Sequence, residues 1–215
     1  MKQVKLFSRI LLFIVCAAFT KAGFSQLTFK DYFNEQTPLT YLGVDFTQAK
    51  IAGLTDFELK DLKDRQFQGV NEVVLNEPKR YDFSKFFHRT NTQSDISLVE
   101  AHNNKIDIDK AKSTGGNDEG HLSPADVEKL VKGYSFSGKK GMGVMIVMES
   151  MSKIKAQGTA YLAFIDLSNN KVLYSEKFTE KASGFSLRNY WAKVAYNVMD
   201  EAGDKYKTWK KNNGL

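Results

Sequence analysis

The chain has 215 residues, 42% hydrophobic, 26% charged and 13% aromatic, with fifteen glycines, three prolines and one cysteine. That balance excludes an intrinsically disordered chain, a collagen or mucin and a disulfide-dense scaffold, and one domain is the expectation for this length. No catalytic or ligand-binding signature stands above background.

Residues 1–25 read as a secretory leader: Lys2, Lys5 and Arg9 precede an apolar run from Ile10 to Phe19, and Gly23-Phe24-Ser25 places cleavage near Ser25. The run is too short to span a bilayer, which takes about 20 apolar residues, so no transmembrane segment is expected in the mature chain. Cys16 lies inside the run, and Val15 before it is not the small residue that a lipoprotein signal requires. The mature chain is then cysteine-free, which excludes disulfides and thiolate chemistry. Without Lys2, Lys5, Arg9 and Lys21, the 31 basic residues fall to 27 against 25 acidic ones, a net +2 in place of +6. So weak a basic balance argues against nucleic-acid binding.

Residues 26–215 read as a single α/β domain. A lead with Phe29, Tyr32 and Phe33 forms one helical turn or packs as a flap. Leu39–Ile51 is expected as the first strand, with Leu42, Val44 and Phe46 on one face and Tyr41, Gly43, Asp45 and Thr47 on the other. Leu59, Leu62, Phe67, Val70, Val73 and Val74 mark a helix that Pro78 ends, and Phe83, Phe86 and Phe87 a shorter one with Asp82 as its cap. Asp95–Ala101 is expected as the second strand, followed by a polar loop over 103–122. Ser123-Pro124-Ala125-Asp126 opens a helix, with a capping serine, a proline at the first helical position and an acid near the N-terminus.

Val144–Met148 and Tyr161–Ile165 are apolar on both faces and predict central strands, while the alternation around Val172–Phe178 predicts a strand nearer the edge. Gly158 marks the first connection and Ser168-Asn169-Asn170 the second, giving an antiparallel meander. A long helix from Leu187 to Lys210 follows, capped by Ser186, with Leu187, Trp191, Val194, Val198, Ala202, Tyr206 and Trp209 in one stripe. The expected fold is α/β (α+β): a mixed sheet of about five strands packed with helices, ending in the meander and a long C-terminal helix.

This element order over residues 39–211 resembles the small α/β domain at the N-terminus of the Tol-system β-propeller protein and the periplasmic domain of the curli-secretion lipoprotein. The segment Gly184-Phe185-Ser186-Leu187-Arg188-Asn189-Tyr190-Trp191 looks like exported Gram-negative proteins with no assigned chemistry. The resemblance implies an envelope-associated interaction domain.

Gly138–Gly143 lacks the Gly-Lys-Ser/Thr ending and the following helix of a phosphate loop. His88, His102 and His121 have no zinc-ligand spacing, and Asp107, Asp109, Asp118, Glu119 and His121 share a loop without the order of a calcium site, so no metal or other cofactor is expected. Ser186 sits in Gly-Phe-Ser-Leu-Arg, which breaks the nucleophile-elbow pattern at its last position. Glu149, Lys153 and Lys155 interrupt the central strand, as if its end emerged into water; a buried Glu149 would need a partner, and Arg188 suits the role. Glu149, Lys153, Arg188 and Asn189 are the candidate ligand-binding residues. The basic, aromatic tail Lys205–Lys211 offers peripheral membrane contact. These features together suggest a periplasmic or secreted binding or assembly module with an envelope protein partner and no catalytic role. The alternatives are a hydrolase using paired carboxylates and a lipid- or metal-binding carrier.

Overall fold

The computed structural model describes residues 26–115, 118–136 and 138–215; the expected leader, with Cys16, lies outside them. A 3-10 turn at Phe29–Phe33 precedes β1 (Leu39–Asp45) and β2 (Lys50–Ala52). Then come α1 (Asp56–Asp61), a π-helical turn (Leu62–Gln66), α2 (Phe67–Asn76), α3 (Phe83–Phe87), β3 (Thr92–Ser94), α4 (Ser97–Asn103), α5 (Ile108–Ala111) and α6 (Pro124–Lys132). The meander of β4 (Met142–Ser152), β5 (Gln157–Asp166) and β6 (Lys171–Lys181) follows, and α7 (Leu187–Asn212) closes the chain.

The sheet is mixed and six-stranded, in the order β3-β1-β4-β5-β6, with the short β2 pairing beside β4. β1 runs parallel to β3 and β4, and the meander is antiparallel. Every residue of β4 is buried, as its two-faced apolar run requires, and β6 takes the edge. One face carries α2, α3, α7 and the N-terminal turn over Val144, Ile146, Met148, Leu162 and Phe164. The other carries α6 and part of α4 over Met145, Val147, Tyr161, Ala163 and Ile165.

The structure departs from the sequence expectations at four places. The first strand breaks after Asp45, whose Oδ1 accepts from Thr47 N at 2.6 Å, and the chain rejoins the sheet only at Lys50. Within β1 the register shifts between Tyr41 and Gly43, so Tyr41 joins Val44 and Phe46 on one face and Leu42 turns to the other. Such a bulge needs an unusual backbone, and Gly43 supplies it at φ +102°. Residues 97–103 are helical: Asp95 Oδ1 accepts from Ser97 N and Oγ, starting a turn, and Ile96, Val99 and Asn103 then share a helical face. The strand partner of β1 is the shorter Thr92–Ser94. Gly158 lies within β5, where a Cβ would come 2.9 Å from Val194 of α7; the turn itself is residues 153–156.

Helix caps follow the expected chemistry. Asp82 accepts from Ser84 N and Lys85 N, Ser186 Oγ from Asn189 N, and Ser123 with Asp126 forms a reciprocal capping box. The five-residue step from Leu62 to Phe67 does not fit an α-helix; the π turn absorbs it, leaving both side chains buried.

Candidate functional site

In open α/β sheets, ligands favour the crevice beyond the carboxyl ends of strands whose connections leave on opposite faces. Here β1 and β3 lead to such connections, and two asparagines fill the space between them. β3 pairs only with Leu39–Tyr41, leaving the upper edge of β1 open. Asn71 of α2 takes Val44 N on its Oδ1 at 2.7 Å and donates to Val44 O at 3.1 Å. Asn103 of α4 takes Phe46 N at 2.9 Å and donates to the same carbonyl at 2.9 Å. Both side chains are buried and replace a missing strand. Asp45, at the end of β1, accepts from Tyr134 Oη at 2.5 Å as well as from Thr47. Burial, followed by the charge and hydrogen bond of Asp45, pushes the Tyr134 phenol far above its ordinary range.

A second acid is enclosed at the bulge of β4. Glu149 is 0% exposed, correcting the expectation that the strand end emerges into water. Its Oε1 accepts from Leu122 N at 2.7 Å and from Lys177 Nζ at 2.9 Å. Its Oε2 lies 2.9 Å from the same ammonium but makes no directed hydrogen bond. Lys177 also reaches the carbonyls of Glu119 and Leu122, and Tyr161 Oη donates to the latter at 3.0 Å. Burial opposes the Lys177 charge, but the hydrogen bond and charge of Glu149 outweigh it and hold the ammonium above its ordinary value. The partner of Glu149 is thus Lys177, across the sheet on β6, and not Arg188.

The other candidate residues collect elsewhere. Lys153, in the β4–β5 turn, places Nζ 3.7 Å from the centre of the Tyr190 ring. Arg188 lays its aliphatic stem near Gly69 and donates from Nε to Asn189 Oδ1 at 3.3 Å. Lys153, Arg188 and Asn189 therefore share one end of the molecule, apart from the enclosed Glu149.

Two of the open clefts among the described residues flank β2. The first, about 430 Å³, lies beside β2 and the end of β4, lined by Lys50, Lys112, Ser113, Asp118, Glu119, Ser150, Ser152 and Lys155 among others. Lys155 pairs with Glu119 at 2.6 Å, Lys112 with Asp56 at 2.5 Å, and Asp118 accepts from Ser113 Oγ. Ser150 Oγ is buried without a hydrogen-bond partner among the described residues. Lysines and hydroxyls in this arrangement suit a carboxylate or a peptide backbone; no imidazole lines the cleft to activate a serine. The residue pattern does not mark this cleft, because the run Leu39–Ile51 carries no sign of the break before β2 and residues 103–122 have the composition of a single loop.

The second cleft, about 450 Å³, is lined by His102, His121, Lys105 and Lys110 with the β1–β2 connection. His102 stacks on Tyr134 with ring centres 4.0 Å apart, and the two ring nitrogens of His121 lie 2.9 and 3.0 Å from the carbonyls of Asp118 and Gln48. Both rings thus serve packing and loop closure. The loop acids are not gathered: among the described residues, no three His, Cys, Asp or Glu side chains are placed to hold a metal ion. Ser186 is the cap of α7, and residues 138–141 turn into a strand, not a helix.

Among the described residues, no helix is long and apolar enough to cross a membrane. No protein-family model matches the chain, and no curated protein matches it in sequence. Among solved structures, the chain is similar to lipoprotein GNA1162 from Neisseria meningitidis, 11% identical over 79% of this chain and 99% of that one, with a TM-score of 0.32. A likeness that weak carries no argument about function, and it does not speak for the Tol-system or curli-secretion domains.

Proposed function

We propose that the protein is an exported, non-catalytic binding or assembly module of the bacterial cell envelope. The observation that carries this reading is the fate of its buried polar groups. Asp45, Asn71, Asn103 and Glu149 each spend their hydrogen bonds on the protein itself, at the places where an α/β fold would hold a ligand or a catalytic acid. A hydrolase needs a carboxylate free to exchange a proton with substrate; the two most enclosed carboxylates here are tied to Tyr134 and Lys177. The first cleft, with its lysines and hydroxyls, suits recognition more than turnover. The leader-like first 25 residues support the export half of the reading.

A photocrosslinking residue placed at Lys112, in the first cleft, tests it in intact cells. A discrete adduct that fractionates with the envelope, absent when the probe sits at Lys132 on α6, is the expected result. Free monomer alone, together with turnover of an ester, phosphoester or glycoside panel by the purified chain, overturns it.

A further inference from the structure

Among the described residues, four large hydrophobic side chains are exposed, and three of them leave one end of the sheet. Phe57 and Ile154 are 81% and 79% exposed, and Phe185 is fully so. Phe57 stands in the first turn of α1, just past the connection from β2, Ile154 in the β4–β5 turn and Phe185 on the connection from β6 to α7. Those connections are fastened together. Lys153 N donates to Ala52 O at 2.9 Å, Ala182 N donates to Ala156 O at 2.8 Å, and Lys153 Nζ sits over the Tyr190 ring in the first turn of α7. A Cβ on Gly53 would meet Ile154 at 2.6 Å, so the first two loops are in direct contact. The result is a rigid end with three separate apolar points.

The unpaired charge on segments 53–57, 153–156 and 181–188 is positive. Lys153, Lys181 and Arg188 make no ion pair among the described residues. Of the acids beside them, Asp56 pairs with Lys112, Glu119 with Lys155, and Glu58 closes the Thr55 cap, while Glu180 precedes Lys181 at the end of β6. Single projecting side chains with unpaired cations on the same connections suit a deformable, anionic, apolar-cored surface. A folded protein partner would favour a continuous patch or groove.

We propose that this end is a membrane-contacting surface: Phe57, Ile154 and Phe185 insert among the acyl chains of a bilayer while Lys153, Lys181 and Arg188 engage anionic lipid headgroups. The inference goes beyond the envelope-module reading; of its six residues only Ile154 also lines the first cleft. It also moves the membrane contact away from the basic tail. The tail lies at the other end of α7, and its aromatic element is turned inward: Trp209 is buried, with Nε1 donating to Glu176 at 2.7 Å, and Lys205 pairs with Glu176.

The test is flotation of the processed chain, residues 26–215, with vesicles of phosphatidylcholine alone or mixed with phosphatidylglycerol. Wild type is expected to float with the mixed vesicles. Phe57→Ser/Ile154→Ser/Phe185→Ser and Lys153→Glu/Lys181→Glu/Arg188→Glu should each lower the bound fraction by about tenfold or more at unchanged melting temperature. Lys207→Glu/Lys210→Glu/Lys211→Glu should match wild type. Hydrogen exchange on the vesicles should show new protection over residues 53–57, 153–156 and 183–186. Absence of flotation, loss only in the tail variant, or protection confined to other segments overturns the proposal. So does loss of a protein crosslink in the apolar-point variant without any vesicle binding; the envelope-module reading would survive each of these.

Discussion

At Glu149 a carboxylate is carried into the middle of a sheet, and the arrangement survives because Lys177 and the Leu122 amide meet it there. Breaking a buried pair on one side leaves a charge without compensation, whereas removing both charges restores an apolar interior. Lys177→Met is therefore expected to destabilise the protein by about 3–5 kcal/mol, and Glu149→Leu/Lys177→Met by distinctly less, as read from urea midpoints at constant m-value. The pair also sets a pH dependence. Because the folded-state pKa of Lys177 is raised, its contribution is complete below the ordinary lysine value and is lost as pH climbs through the raised one. Wild type should thus lose stability under alkaline conditions more steeply than the double variant. That Glu149 would need a partner was legible in its apolar surroundings. The partner was not, because Lys177 lies across β5 and the facing residues depend on register shifts at Met148/Ser150 and Phe164/Ile165. A bulge moves a side chain to the other face without leaving a mark in the residue pattern.

The elements most legible in the sequence are those whose local chemistry and burial agree. The capped α6, the two-faced β4 and the striped α7 all satisfy caps and periodicity at once. The elements that the residue pattern does not mark are those where a side chain replaces a backbone partner. Asn71 and Asn103 stand in for a strand beside β1, and Gly43 lets the chain bend to reach them. Gly43→Ala would place a methyl 3.0 Å from Asn71 Oδ1 at a φ of +102°, so a loss of about 1–3 kcal/mol is expected in thermal or urea unfolding. The start of α4 depends on Asp95 in a similar way. Its carboxyl is held down to about 2, first by Lys139 and then by Ser97. The contribution is present above the ordinary aspartate value and fades as pH falls toward the lowered one. Asp95→Asn should therefore cost about 1 kcal/mol at neutral pH, discounted for its partial exposure, with the difference shrinking as pH falls from the ordinary aspartate value through the lowered one.

Across the whole molecule, β4 separates two unlike ends by about 33 Å, given its eleven residues. One end carries the exposed apolar points; at the other, the N-terminal lead is locked down. Phe29 and Tyr32 pack on Phe164 with ring centres 5.1 and 4.6 Å away, and Leu27 N donates to Asp166. The central clamp is Arg89, buried to 4% exposure, which donates from Nη1 to Tyr32 O at 2.5 Å and from Nη2 to Thr37 O. Nothing in the local sequence distinguishes Arg89 from a surface arginine, since its partners are carbonyls more than fifty residues earlier. Arg89→Met keeps the apolar stem but removes the donors, leaving those carbonyls without the guanidinium. The aromatic contacts of the lead remain, and the sheet behind it is held by its own ladder. The loss should therefore be local. Hydrogen exchange at the amides of Asn34 and Thr37, which close the lead's turns, is expected to speed up by about tenfold or more, while β4 amides change far less. Tyr32→Phe removes only the 3.0 Å bond to Phe87 O and should cost about 1 kcal/mol without releasing the segment. If Arg89→Met instead accelerates exchange equally in the lead and in β4, the lead is part of the global folding unit and not a segment clamped onto it.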